Sequence, residues 1–302
     1  MESTPHSAII LPNQNLALKG NFMSYTLSEL FIYPIKSIQG ISLASSQVEL
    51  SGLYDDRRYM LAKPDGEFIT GRTHPNLTLV SATRIENTSW QLSHPEQSLK
   101  LTINPSLFSK DNTDVIIWDN SVKAQLAQQE MNTWFSEVAG EPVKLVYFGE
   151  NAQRFTSRRP EVPVAFADGY PFLLTTTASL AELNRTCPED IQMAQFRPNL
   201  VIQGDEAFAE DSWKRIRIGE VEFENVKPCD RCIFTTLNPS TAQRSKKGEP
   251  LKTLAKFRLL NKESITFGIN MIALNAGHIN VGDKLEILEY QIPEKYIDRR
   301  KA

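Results

Sequence analysis

Lys227-Pro228-Cys229-Asp230-Arg231-Cys232 separates two runs that read as strands. Ahead of it, Glu220-Val221-Glu222-Phe223-Glu224-Asn225-Val226 alternates charged and apolar residues; behind it, Ile233-Phe234-Thr235-Thr236-Leu237 is rich in β-branched and aromatic residues. The pattern predicts a loop between two strands, carrying two of the chain's three cysteines with a guanidinium between them. Thiolate is the metal-binding and nucleophilic form of cysteine, and a neighbouring Arg favours it.

Four chemistries fit such a loop. A structural zinc site takes four ligands, usually as two doublets, and Cys187, His6, His74, His94 and His278 form no second doublet. A thioredoxin-like dithiol sits where a strand gives way to a helix, whereas a strand-like run follows here. Two small side chains buried in a turn need no chemistry at all. The fourth chemistry is a single thiolate bound to a metal whose other ligands belong to an organic cofactor, and the arginines elsewhere in the chain favour it.

Working outward, 302 residues allow about two domains and a large buried core, with the composition of a soluble globular protein. A net charge of -3 draws the whole molecule to neither nucleic acid polymers nor an anionic membrane, so an anion site must be a local cluster. Three cysteines make no disulfide framework and suit a reducing compartment. No apolar run reaches membrane length, and residues 1–25 lack the marks of a signal or transit peptide; they read as a mobile extension of a cytoplasmic protein.

The expected fold is mainly β with minor α. Short β-branched or aromatic runs at 27–33, 41–50, 58–63, 78–85, 101–103 and 115–118, punctuated by Gly, Pro, Asp and Asn, predict a small barrel or sandwich rather than βαβ units. A helical stripe of Leu126, Met131, Trp134, Phe135 and Val138 ends at Gly140, and 143–148 returns to strand. The stretch 150–166, with three arginines and two prolines between Gln153 and Pro163, reads as a linker. This divides the chain into 1–25, a first β domain over 26–150, a second over 151–290 and a polar tail over 291–302. In the second domain, strands are expected at 172–175, 200–202, 265–274 (broken near Gly268) and 283–288, with helical segments near 178–184 and 250–260. Because a residue before proline favours extended geometry, Arg197 should project stiffly ahead of the 200–202 strand. No dinucleotide fingerprint, Walker loop or internal repeat is present.

Several blocks resemble one family in the right order. Phe196-Arg197-Pro198-Asn199, Ala209-Glu210-Asp211-Ser212-Trp213, Gly219-Glu220-Val221 and Cys229-Asp230-Arg231-Cys232-Ile233-Phe234-Thr235-Thr236 are similar to the MOSC domain of molybdenum-cofactor proteins. Tyr33-Pro34-Ile35-Lys36-Ser37 and Asp56-Arg57-Arg58-Tyr59 resemble the β-barrel domain that precedes MOSC in the mitochondrial amidoxime-reducing component and its bacterial relatives. The resemblance spans residues 27–288 and implies an N-terminal β-barrel domain followed by a MOSC-type β-barrel. It also implies a mononuclear molybdenum held by one pterin dithiolene and one cysteine, here Cys232. Lys36, Ser37 and Arg57 match first-domain contacts to the pterin and its phosphate. Asp168, Gly169 and Tyr170 match a loop lining the cofactor; Arg197 and Asn199 match further contacts; Asp230 and Arg231 flank the ligand. The chain departs from the animal members at Asp230, where they carry Ser, and at Asn270, where they carry Tyr. Arg58, Arg72, Arg158 and Arg159 are left out of the site as partners for surface carboxylates.

The activity implied is reduction of N-hydroxylated compounds (hydroxylamines, amidoximes, N-hydroxylated nucleobases), with Cys232, Asp230 and Arg231 at the catalytic centre. The chain has no iron-sulfur motif, so a separate flavin or iron-sulfur protein is expected to supply electrons. The tail 291–302 fits a severed linker as well as a natural end. Two alternatives of other classes stand beside this reading: a cofactor carrier or sulfur-transfer protein using the Cys229 and Cys232 thiols, and a non-enzymatic β protein with a vestigial thiol pair.

Overall fold

The computed structural model describes residues 25–86 and 88–300, so the expectation for 1–25 lies, apart from Tyr25, outside the described residues. The fold is mainly β. Its central sheet runs in spatial order Leu285–Tyr290, Trp213–Ile218, Val221–Asp230, Ser264–Ala273, Phe172–Thr176, Leu200–Gln203, Thr26–Ile32 and Ile41–Leu43, with Leu259–Leu260 paired to the 264–273 strand. Phe172–Thr176 and Leu200–Gln203 are parallel, and the helix Thr177–Thr186 between them supplies the crossover such a pair requires. That helix starts at Thr177 because Thr176 caps it, its hydroxyl accepting from the Ser179 N–H at 3.1 Å. The Leu27 N–H donates to the Asp283 carbonyl and the Leu285 N–H to the Tyr25 carbonyl, each at 2.9 Å. These bonds bring Thr26–Ile32 back beside the first strand and curl the sheet into a barrel.

A second sheet belongs to the first half: Tyr59–Ala62, Lys144–Tyr147, Asn120–Ala127 and Phe108–Ile117. Ser81–Glu86, Ser89–Ser93 and Leu101–Ile103 form a third, and Gly277–Asn280 joins Ser45–Glu49 and Gly52–Leu53 in a fourth that mixes the two halves. The helix Gln129–Ala139 buries Met131, Trp134, Phe135 and Val138, and Gly140 ends it in the left-handed region at φ 78°. One apolar cluster runs from Leu27 and Ile32 through Trp90 and Phe135 to Phe172, Trp213 and Phe223, so both halves share a core. Among the described residues no helix is long and apolar enough to cross a membrane.

The structure corrects several local expectations. Ile233–Thr236 is a single 3₁₀ turn, not a strand. Its β-branched residues turn inward locally: the Thr235 hydroxyl donates to the Cys232 carbonyl at 2.9 Å and the Thr236 hydroxyl to the Ile233 carbonyl at 2.7 Å. The preceding strand reaches Asp230, so Cys229 lies in the strand, at a register shift between Pro228 and Asp230, and only Cys232 lies in the turn. The expected break near Gly268 is a register shift within one continuous strand, Gly268 adopting φ 73° where a Cβ would come 2.6 Å from the Leu174 carbonyl. The helical segment expected over 250–260 shrinks to Leu251–Leu254. Ser89–Ser93, Asn120–Ala127 and Trp213–Ile218 are strands with no counterpart in the sequence reading.

The stretch 150–166 is held down rather than loose. Arg154 is buried and donates to the carbonyls of Ala165, Ala167 and Asp168 at 2.8, 2.5 and 2.6 Å. The tail is docked as well: Tyr296 stacks 3.9 Å from the Arg258 guanidinium, and Arg300 pairs with Glu182 at 2.7 Å.

Candidate functional site

One cleft of about 360 Å³ opens where the cysteine turn meets the first-half loops. Lys36, Ser37, Arg57, Asp168, Gly169, Tyr170, Arg197, Asn199, Asp230, Arg231, Cys232 and Asn270, the whole set singled out from sequence, line it. They arrive from separate elements, so the cleft exists only because the halves pack together.

Its floor is built on Tyr33. Arg57 and Arg197 lie over this ring at 4.2 and 4.0 Å, within cation–π range. Burial pushes the Tyr33 phenol up to about 12, so it stays protonated and donates to the Pro198 carbonyl at 3.1 Å. Arg57 donates to the carboxylate of buried Asp56 at 2.6 Å, to Asn199 Oδ1 at 3.1 Å and to the Arg197 carbonyl at 3.2 Å. Asn199, 1% exposed, also accepts from the Leu173 N–H at 3.3 Å and donates to the Phe31 carbonyl at 3.1 Å. It therefore joins strands of both halves and fixes Arg57 from behind. Arg197 donates to the Ile38 carbonyl at 2.6 Å, and burial pushes its guanidinium down to about 10, still cationic at neutral pH. The extended geometry expected for Arg197 is overturned: its φ is 56°, and Ser37 and Arg57 are also left-handed, at 78° and 48°. Tertiary contacts to Ile38 and Tyr33 outweigh the pre-proline preference, and such outliers collect where a site is over-determined.

Lys36 is buried, with its ammonium donating to the Phe166 carbonyl at 2.8 Å and to Asp168 at 2.5 Å. Burial pulls Lys36 down to about 8, against the pull of Asp168. At Asp168 desolvation works against ionisation, but Lys36 and Arg72 together outweigh it and hold the carboxyl well below the usual range.

The mouth carries the sulfur. Cys232 is exposed, Cys229 and Cys187 are half-buried, and all three are free thiols. Cys229 and Cys232 each have their own guanidinium: Arg231 Nη1 donates to Cys229 Sγ at 2.9 Å, and Arg72 Nε to Cys232 Sγ at 3.3 Å. Arg231 is anchored by the Phe196 carbonyl at 2.6 Å, while Asp230 is paired with Lys227. Asn270 lies in the neighbouring strand, opposite Lys227 on one side and Leu173 on the other. Among the described residues no three His, Cys, Asp or Glu side chains converge to hold a metal.

Arg72, which the sequence reading left out of the site, also lines the cleft. Besides Cys232 it binds Asp168 at 3.0 Å and stacks on Trp118 at 4.5 Å. Gly71 permits this approach, since a Cβ there would come 2.5 Å from the Phe234 ring. Arg244 staples the loop to the turn, donating to the Arg72 carbonyl at 2.5 Å and to the Ile233 carbonyl at 3.0 Å. Nothing local in the sequence marks either Arg72 or Arg244. Arg159 does pair with a carboxylate, Glu224, away from the cleft.

Comparison with known proteins agrees with this architecture. The model of the MOSC N-terminal beta barrel domain matches residues 24–142, and that of the MOSC domain matches residues 161–286. Mitochondrial amidoxime reducing component 2 of Bos taurus is 34% identical over 276 residues, covering 85% of this chain and 82% of that protein. Mitochondrial amidoxime-reducing component 1 of Homo sapiens is 30% identical over 285 residues, covering 87% and 83%. The molybdenum cofactor sulfurase of Arabidopsis thaliana is 30% identical over 280 residues, which make up 85% of this chain and 34% of that protein. With a barrel domain ahead of a MOSC domain and this similarity along most of its length, the chain belongs to the MOSC family, as a homologue of the mitochondrial amidoxime-reducing components.

Proposed function

We propose that this protein is a molybdenum-cofactor-dependent reductase of N-hydroxylated compounds: hydroxylamines, amidoximes and N-hydroxylated nucleobases. The observation that carries the reading is one cleft with a cationic floor and a free thiol at its mouth, on a chain homologous to amidoxime-reducing components. Six cationic side chains against two carboxylates line the cleft, an excess suited to a phosphate of about two negative charges. Two donors await a partner: Arg231 Nε and the Tyr170 hydroxyl are buried, line the cleft and bind no protein atom. Buried donors are rarely left unpaired, so both fit a polar ligand.

Lys36, Ser37, Arg57 and Arg197 would hold the phosphate and pterin, with Asn199 keeping Arg57 in place. Gly169, Tyr170, Arg231, Asp230 and Asn270 would line the rest, and Cys232 would ligate the metal. When bound, the cofactor supplies two-electron removal of oxygen from nitrogen. The chain's own work is orientation. Arg72 fixes the Cys232 sulfur with one N–H and Asp168 with another, while Asp168 balances the charge of Lys36 behind it. With three cysteines the sequence holds no four-cysteine cluster, and a separate flavin or iron-sulfur protein would supply electrons.

The test is molybdenum analysis and oxidised-pterin fluorescence of protein made in a host with active cofactor synthesis, followed by reduction of an N-hydroxylated compound with an artificial electron donor. Stoichiometric metal and pterin together with turnover are expected. Absence of both metal and pterin overturns the reading. A second reading, cofactor carriage or sulfur transfer, is favoured by the exposure of Cys232 and the similarity to the plant sulfurase; stoichiometric molybdenum without turnover would select it.

A further inference from the structure

Trp118 borders the same cleft and takes no part in the scheme above. It opens the two-residue loop joining Phe108–Ile117 to Asn120–Ala127, where Ile117 pairs with Asn120, and its φ is 52°. Tight hairpins place glycine, asparagine or aspartate at such a position, because a bulky side chain there is strained. The strain is held by contacts: Phe68 lies 5.1 Å away at 59°, and the Arg72 guanidinium rests 4.5 Å from the ring centroid. The side chain is nevertheless 45% exposed, whereas Trp90, Trp134 and Trp213 are buried. A large aromatic kept at a turn position that disfavours it, with nearly half its surface left open at the cleft, points to a ligand beyond the packing against Phe68 and Arg72. Its place supports this, since the guanidinium stacked on it also binds Cys232. A half-exposed indole thus stands one side chain away from the thiol.

We propose that Trp118 is the platform on which the flat, conjugated body of a substrate stacks, its N-hydroxyl group presented on the Cys232 side. The cleft then selects N-hydroxylated aryl compounds over alkyl hydroxylamines. This inference rests on the reductase reading. Stacking draws on apolar area and ring electrostatics that an alkyl group cannot match.

Two measurements test it. In the holoenzyme, the ratio of kcat/KM for benzamidoxime to that for N-methylhydroxylamine should fall about threefold to tenfold in Trp118→Ala, and less in Trp118→Phe; an unchanged ratio overturns the proposal. Titration with benzamidoxime, followed by tryptophan fluorescence, should give saturable quenching in the wild type that disappears in Trp118→Phe, because the other three indoles are buried. Quenching retained in Trp118→Phe, or absent from the wild type, also overturns it. The Phe variant keeps a ring against Phe68 and Arg72, so the titration decides even if Trp118→Ala fails to fold. It needs no turnover: a protein that reduces neither compound sinks the reductase reading, while the titration still decides the platform.

Discussion

Arg72 Nε lies 3.3 Å from Cys232 Sγ, across 160 residues of sequence. The loop carrying this contact is pinned by Gly71 against Phe234 and by Arg244, so the guanidinium reaches the sulfur already oriented. Arg72→Met removes the N–H to sulfur and one of the two cationic partners of Asp168 together. Groups that orient a metal ligand typically contribute tenfold to a hundredfold in metal affinity or activity. Molybdenum content after dialysis and kcat for an N-hydroxylated substrate should both drop by about that range, and wild-type values for both would assign the contact to packing alone.

The two thiols should separate cleanly. Cys232 stands at the cleft mouth, whereas Cys229 lies in the strand against its own guanidinium. Cys232→Ser should abolish turnover while keeping part of the pterin through the phosphate contacts, and Cys229→Ser should have a milder effect. Equal losses in turnover and metal content would argue for a dithiol acting as a unit.

Asn199 is where stability and site meet. Asn199→Ala removes the side-chain partner of the Leu173 N–H and of the Phe31 carbonyl and one of the three acceptors of Arg57, in a buried to part-buried setting. Each unsatisfied buried group costs about 1–3 kcal/mol, so a loss of roughly 3 kcal/mol is expected in urea unfolding of the apo-protein. A loss under about 1 kcal/mol would mean that water replaces the amide.

Lys36 gives a pH signature. Its native pKa is pushed down to about 8, below the usual lysine value of about 10.4. Below pH 8 both native and unfolded chains hold the proton, and the full cost of burying the charge is felt. Between about 8 and 10.4 the native state sheds it first, so the unfolded state binds more protons and stability from this group rises with pH. Against that slope, Lys36→Met should show a flatter dependence over the same window. Identical slopes in the two proteins would show that Lys36 keeps its proton throughout.

Sequence carried the cysteine turn, the Arg-Pro-Asn block and the Lys-Ser pair because each is a contiguous string whose spacing holds meaning by itself. Arg72 and Trp118 reach the cleft, and Arg244 braces the loop beside it, only through tertiary approach, and a lone arginine in a Gly-Arg-Thr loop looks like any surface cation. The Ile233–Thr236 turn was hidden for a different reason: β-branched side chains read as strand, yet two threonine hydroxyls close on carbonyls three residues back. The left-handed Arg197 was hidden by a true local rule that its contacts to Ile38 and Tyr33 overrule. Barrel closure was also out of reach, since nothing local in residues 26–32 says that their neighbours are residues 200–203.

That last pairing bears on how the molecule could be divided. Thr26–Ile32 belongs by position to the first family match, yet it is a stave of the barrel formed by the second. A fragment beginning at residue 161 would lack this stave, baring the backbone of Leu200–Gln203 as a sticky rim prone to pair with other copies. Grafting residues 25–43 onto such a fragment would close the rim again, whereas a cut at the composition shift leaves two pieces that each want the other's edge.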